Sequence, residues 1–262
     1  MLEKRRHEIM KTKKPKVTEI LHHLGEEDLP FGAVNPPIFQ TSIFSFKTFA
    51  DFKNALKDEK NSYIYSRGNN PTVNLVEEKI AELEHGEKAK LVSSGVAAIS
   101  GSMMAFLKSG DHVISVRDVY GWTKTLLEKY LKRFNVSFSY VEGTDPEEIE
   151  KNINKNTKII YLESPTTFSF KIQNLKQIAK IAKKHGIKTI IDNSWATPIF
   201  QNPIDYGIDL VVHSVSKYIG GHSDVVAGAI IGKEEDIAHI FKTEFQNIGT
   251  VPDPFMAWLV LR

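Results

Sequence analysis

The chain has 262 residues, of which 41% are hydrophobic, and a formal net charge of +2 at pH 7. That supplies apolar material for one large core, and the charge is too small to point to nucleic acid. Cysteine is absent, which excludes disulfides, thiolate catalysis and cysteine-ligated metals; no metal site is expected.

The basic excess sits at the front, in Lys4–Arg5–Arg6 and Lys11 to Lys16. It reads as a solvated tail, with a basic partner-binding arm as the sharper alternative. This tail lacks the apolar segment of a signal peptide, and no run approaches a membrane span, so a cytoplasmic chain without a membrane partner is expected. Residues 17–47 contain Gly25, Pro30, Gly32, Pro36 and Pro37 and read as irregular. Residues 1–60 are taken as an N-terminal arm and 61–262 as one large domain. Phe49, Phe52 and Leu56 mark a short helix. Tyr63 to Thr72 is a polar turn leading into a helix with Val73, Val76, Ile80 and Leu83 on its apolar face.

From residue 90 strands and helices alternate. Leu91–Val92 ends a strand before Ser93–Ser94–Gly95, and Val96 to Leu107 is an apolar helix stopped by Gly110. His112 to Val116 alternates as a strand, Tyr120 to Phe134 is one helix, and Val136 to Val141 is the next strand. Asp145–Pro146–Glu147–Glu148 opens a short helix with acidic residues at its positive end. Ile159 to Leu162, Thr189 to Ile191, Val211–Val212 and Ala229 to Ile231 are further strands. Leu175 to His185 is a helix closed by Gly186. The alternation predicts an α/β fold, a mostly parallel sheet with helices on both faces, and ligands beyond the carboxyl ends of its strands. Pro254 to Arg262 is an apolar helix that stops abruptly, so a following domain is expected to be missing.

Four polar stretches fall at predicted strand ends. His213–Ser214–Val215–Ser216–Lys217 follows a buried strand, and Gly220–Gly221 loosens the chain after it. A poorly hydrated lysine there is a nucleophilic amine suited to Schiff-base chemistry with pyridoxal phosphate, and Ser214 and Ser216 are donors suited to a phosphate. The plain alternative is a surface lysine in a polar loop. Ser94–Gly95–Val96 sits at a strand-to-helix turn where unpaired N–H groups favour an anion; an ordinary glycine turn is the alternative. Asp192 follows a strand, where it can pair with a protonated pyridine nitrogen or cap a helix. Tyr120 opens a helix, either to face a cofactor ring or to pack in a core or interface. No G-x-G-x-x-G and no P-loop occurs, which argues against a nucleotide-binding α/β protein.

In chain order, Y-S-R-G-N-N-P-T, S-S-G-V-A-A, D-V-Y-G-W-T, E-S-P-T, D-N-S-W-A-T-P and H-S-V-S-K-Y-I-G-G-H-S-D resemble the cysteine/methionine-metabolism family of pyridoxal-phosphate enzymes. That family includes the cystathionine lyases, cystathionine γ-synthase and methionine γ-lyase, and the resemblance runs from about Phe31 to the end. It implies the fold-type I large domain, with Lys217 as the Schiff-base lysine and Asp192 as partner of the pyridine nitrogen. It further implies that Tyr120 stacks on the ring, while the Gly95 and Val96 amides with the Ser214 and Ser216 hydroxyls cradle the phosphate. Tyr65 and Arg67 would reach into a neighbouring subunit and bind its phosphate, making the dimer the smallest active unit and a homotetramer the usual assembly. Three departures stand out. Thr167 and Phe168 replace an asparagine-bearing T-N-P, Trp122 replaces a small residue beside the substrate pocket, and Val96 replaces a frequent methionine. The resemblance also implies a further small domain carrying the arginine that grips the substrate carboxylate. The expected activity is elimination by a C–S lyase on a sulfur amino acid such as cystathionine. Cystathionine γ-synthase chemistry and an inactive cofactor-binding fragment are the alternatives.

Overall fold

The computed structural model describes residues 15–262, so Lys4–Arg5–Arg6 and Lys11 to Lys14 lie outside the described residues. At its centre is a seven-stranded sheet in the order β1-β7-β6-β5-β4-β2-β3. The strands are β1 (Lys88–Val92), β2 (His112–Val116), β3 (Ser137–Val141), β4 (Thr157–Glu163), β5 (Lys188–Asp192), β6 (Leu210–His213) and β7 (Gly228–Gly232). Among the described residues of the sheet, only β7 runs antiparallel to its neighbours, β1 and β6. All other pairings are parallel, so β1, β4, β5 and β6 end on the same side of the sheet. Helices cover both faces, as the strand-helix alternation requires.

Local chemistry sets the helix ends. Asn70 caps the helix Pro71–Leu83 by accepting the Thr72 N–H at 3.0 Å, and proline at the first position costs no hydrogen bond there. Val73, Val76 and Ile80 bury one stripe of it against the sheet. Asn174 caps Leu175–His185 through the Gln177 N–H at 3.1 Å, and Gly186 closes that helix in the left-handed region at φ 64°. Among the described residues, no helix is long and apolar enough to cross a membrane.

Several elements differ from the pattern expected of the sequence. The arm read as irregular contains the helix Val17–His23, which is held by tertiary contact. Ile20 is buried, and the Lys79 ammonium donates to the carbonyls of Ile20 and Leu21 at 3.0 and 2.8 Å. Tyr120 to Phe134 is three segments, an α-helix Gly121–Thr125, a π turn Leu126–Tyr130 and a 3-10 turn Leu131–Phe134. The Leu131 N–H reaches the Leu126 carbonyl, one residue farther than in an α-helix, and Leu126, Leu127 and Leu131 are all buried. β2 is buried at every position instead of alternating, because it has a strand on each edge and a layer on each face. The apolar helix Pro254–Val260 is tied to the arm by the Trp258 indole N–H, which donates to the Pro36 carbonyl at 2.9 Å.

Candidate active site

The polar stretches converge at the shared carboxyl end of β1, β4, β5 and β6. Asp192, the last residue of β5, is buried; its carboxylate accepts the Ser194 N–H at 2.9 Å and the Ser194 hydroxyl. The same hydroxyl oxygen accepts the Ser214 N–H at 2.7 Å, and the Lys217 N–H donates to the Ser214 carbonyl at 3.0 Å. One chain of hydrogen bonds therefore joins the carboxylate to the turn that holds the lysine. Ser214 also backs the Ser94–Gly95 turn. A Cβ on Gly95 would lie 2.8 Å from the Ser214 Cβ and 2.9 Å from its Oγ, so only glycine permits this approach. Ser94 caps the ten-residue helix Gly95–Met104 by accepting the Ala97 N–H at 3.1 Å. The Gly95 and Val96 N–H groups stand at its open, positive end, an arrangement suited to an anion.

A second carboxylate lies beside the first. Glu163, the last residue of β4, is in register with Asp192 and shares its face of the sheet. It accepts the Tyr120 N–H at 2.8 Å and the Thr167 hydroxyl proton. Burial and the neighbouring Asp192 push the Glu163 carboxyl up to about 7, while its hydrogen bonds to Thr167 and Tyr120 oppose the rise. Burial also raises Asp192, against the two bonds from Ser194 and the field of His213. Neither carboxylate forms an ion pair among the described residues. Tyr161, on the same strand face as Glu163, is fully buried, and burial and then both carboxylates raise it well above the usual phenol range, against an interaction with the Thr123 side chain.

Asp192, Ser214, Gly95 and Lys217 are thus brought together, with Tyr120 joined to them through Glu163. Two expectations are revised. Lys217 is exposed, not desolvated, because it stands in the turn four residues past the end of β6. The Ser216 hydroxyl is engaged by one backbone unit, donating to the Ala227 carbonyl at 3.2 Å and accepting the Ala227 N–H at 3.0 Å. Tyr65 and Arg67 are exposed. Arg67 donates to the Gln246 side chain at 3.0 Å and lies 5.3 Å over the Tyr65 ring. Their turn is held from beneath by Lys90, which donates to the Gly68 carbonyl and the Asn69 side chain at 2.9 and 3.2 Å.

Sequence reading had not singled out Ser194, Glu163 or the buried pair Glu84–His213, to which Asn193 adds a 2.7 Å bond. Ser194 and Glu163 lie inside the motifs D-N-S-W and E-S-P-T, so their strand-end positions were a usable signal. The 129-residue separation of Glu84 from His213 offered none.

The sequence pattern of the Cys/Met metabolism PLP-dependent enzymes matches residues 17–262. The chain belongs to this family. Members of the Cys/Met metabolism family depend on pyridoxal phosphate, and their relatives' names span several reactions. The chain is 39% identical over 242 residues to an L-methionine gamma-lyase of Porphyromonas gingivalis, covering 92% of this chain and 61% of that protein. It is 40% identical over 249 residues to the cystathionine beta-lyase MetC of Staphylococcus haemolyticus, covering 94% and 61%. It therefore spans about three fifths of the length of these two family members. Among solved structures, a putative O-acetylhomoserine (thiol)-lyase from Campylobacter jejuni superposes with a TM-score of 0.88 at 28% identity, covering 94% of this chain and 70% of that one. That structure carries a pyridoxyl-lysine monophosphate.

Proposed function

We propose that this chain is the cofactor-binding large domain, with an N-terminal arm over residues 1–60, of a C–S lyase acting on a sulfur amino acid such as cystathionine. The observation that supports it most is the chain of bonds from Asp192 through Ser194 to Ser214 and the lysine turn, set against the open helix end at Gly95. This donor set fits pyridoxal phosphate. A buried carboxylate without an ion pair suits a protonated ring nitrogen, a glycine-lined helix end suits a phosphate, and an accessible amine suits the aldehyde.

When bound, the cofactor supplies a cationic ring that withdraws electrons from the α-carbon of an attached amino acid. Asp192 would hold a proton on the ring nitrogen, since its buried carboxylate would gain a cation it otherwise lacks. The Gly95 and Val96 N–H groups and the Ser214 hydroxyl bind the phosphate. The Ser216 hydroxyl, placed with them by family resemblance, acts chiefly on Ala227. Tyr120 would lie against the cofactor, and the Lys217 amine would hold its aldehyde and could give or take a proton at the substrate. Tyr65 and Arg67, exposed on a turn fixed by Lys90, serve the phosphate of a neighbouring copy in a homodimer, two of which form the tetramer. A cytoplasmic location accords with a chain free of disulfide-forming residues.

Borohydride treatment of the pyridoxal-phosphate-loaded protein, followed by peptide mapping, tests the anchor. The label is expected on Lys217 and absent from Lys217→Ala; a label elsewhere, or its persistence in the variant, overturns the assignment. Pyruvate or 2-oxobutyrate released from cystathionine supports the lyase reaction. Cystathionine formed from cysteine and an acylated homoserine would replace it with γ-replacement.

A further inference from the structure

Tyr120 has no side-chain hydrogen bond among the described contacts, is 43% exposed, and occupies the N-cap position of a helix of only five residues. Nothing in that short helix fixes the angle at which its phenol meets the site. The Tyr120 carbonyl accepts the Thr123 and Lys124 N–H groups at 2.9 and 3.2 Å, which tie it to its own helix, and the bond that ties the residue to the sheet runs from its backbone N–H to Glu163 Oε2, 2.8 Å long. Glu163 is itself rigid. It ends a strand paired on one side to Asp192 and on the other side takes the Thr167 hydroxyl, and it is 6% exposed.

We propose that Glu163 is a positioning residue for Tyr120, its carboxyl group fixing the tyrosine backbone relative to Asp192 so that the phenol and the ring-nitrogen partner keep one geometry. The claim rests on the reading of Tyr120 and Asp192 as cofactor residues. Both groups are measured from adjacent strand ends, in register, so the sheet serves as the ruler between them. Thr167 occupies the remaining carboxyl oxygen of Glu163 and leaves the other for Tyr120. The titratable groups that face Glu163 are Asp192, Tyr161 and Tyr120, with no lysine, arginine or histidine in an ion pair with it among the described residues. A group that accepts from Tyr120 suffices for the task in either protonation state, because protonated glutamate retains a carbonyl oxygen.

The conservative variant therefore separates positioning from charge. Glu163→Gln keeps an acceptor for the Tyr120 N–H and turns its amide toward Thr167, whereas Glu163→Ala keeps neither. In protein loaded with pyridoxal phosphate, visible circular dichroism reports how asymmetrically the ring is held, and equilibrium dialysis gives the dissociation constant. Wild type and Glu163→Gln are expected to share the dichroic band and to bind within about threefold of each other, while Glu163→Ala loses most of the band and binds about tenfold more weakly. Tyr120→Phe, which retains the backbone bond and the ring, is expected to keep the band. If Glu163→Ala fails to fold, Thr167→Val is the alternative, since it removes the hydroxyl donor to Glu163 and leaves the Thr167 backbone N–H as that oxygen's remaining hold; partial loss of the band is expected. An unchanged band in Glu163→Ala, or in Thr167→Val where the alanine variant is insoluble, overturns the proposal. So does a glutamine variant as impaired as the alanine one. Failure of the wild-type protein to bind pyridoxal phosphate at all would instead overturn the proposed function.

Discussion

Replacing Glu163 by glutamine in the cofactor-free protein removes a buried group that titrates in the neutral range, and the consequence for stability has a definite sign. The carboxyl moves from its ordinary 4.5 to about 7 on folding, chiefly through burial and then through Asp192. Below pH 4.5 both folded and unfolded chains carry the proton. Between 4.5 and about 7 only the folded chain does, so stability falls as pH rises through that window and levels off above it. The separation corresponds to about 3 kcal/mol across the whole window, given about 1.4 kcal/mol for each tenfold change in proton affinity. Asp192, also raised, adds a loss of the same sign that begins at lower pH. Glutamine carries no proton to lose, and it leaves Asp192 without an anionic neighbour. Urea unfolding at pH 5, 6, 7 and 8 should show Glu163→Gln gaining on the wild type progressively, by up to about 3 kcal/mol between the ends of the range. Any fixed cost of exchanging an oxygen for an amide displaces the two curves equally at every pH. Parallel stability curves would refute the reasoning, because they would mean that Glu163 does not become charged within this range.

Gly228→Ala should destabilise the protein by about 3 kcal/mol or more, since overpacking against backbone cannot relax by a rotamer change. The added Cβ would lie 2.1 Å from the Ser94 carbonyl oxygen and 2.9 Å from the Gly95 nitrogen. An unchanged thermal midpoint would count against that contact, and cofactor affinity should fall with stability. Arg67→Ala should weaken cofactor binding. Mixing it with Lys217→Ala should restore one intact site per mixed dimer, and verified mixed dimers without any restoration would place Arg67 outside the neighbour's site.

The sheet and the strand ends were legible in the sequence because burial leaves a direct mark there. Ile159–Ile160–Tyr161–Leu162 and Ile190–Ile191 are continuous apolar runs, and both end in an acid. Asp192 could be picked out because it breaks such a run where a parallel strand ends, and Gly95 because it follows two serines at a strand-to-helix turn. What escaped detection depended on groups far apart in the chain. The helix Val17–His23 is held by Lys79, whose ammonium reaches back 59 residues to the Ile20 carbonyl. The expected continuous helix from Tyr120 ignored that Leu126, Leu127 and Leu131 all turn inward, which the π turn accommodates. Burial of the preceding strand suggests a desolvated Lys217, yet the turn after His213 carries it back to the surface. Motif spacing locates a residue along the chain, whereas hydration depends on how the following turn leaves the sheet.

The direction of β7 explains why one of the two glycines that crowd the Ser94–Gly95 turn is legible in the sequence and the other is not. In an all-parallel sheet, the strand between β1 and β6 would bring its carboxyl end, and a following loop, to the Ser94–Gly95 turn. β7 runs the other way, so its first residue arrives there instead, with Gly228 in register with Val92 at the end of β1. The turn at Ser94–Gly95 is then enclosed on two sides, by Ser214 on one and by Gly228 on the other. Each side needs a residue without a Cβ, but for different partners. Gly95 clears Ser214, and Gly228 clears the Ser94 carbonyl. Gly95 stands beside an N-cap serine at a strand-to-helix turn, a local pattern readable from its neighbours. Gly228 opens an apolar strand, where a glycine looks like a mere weakening of β structure. Its purpose emerges only when the strand's direction is known, and direction is a property of the whole sheet.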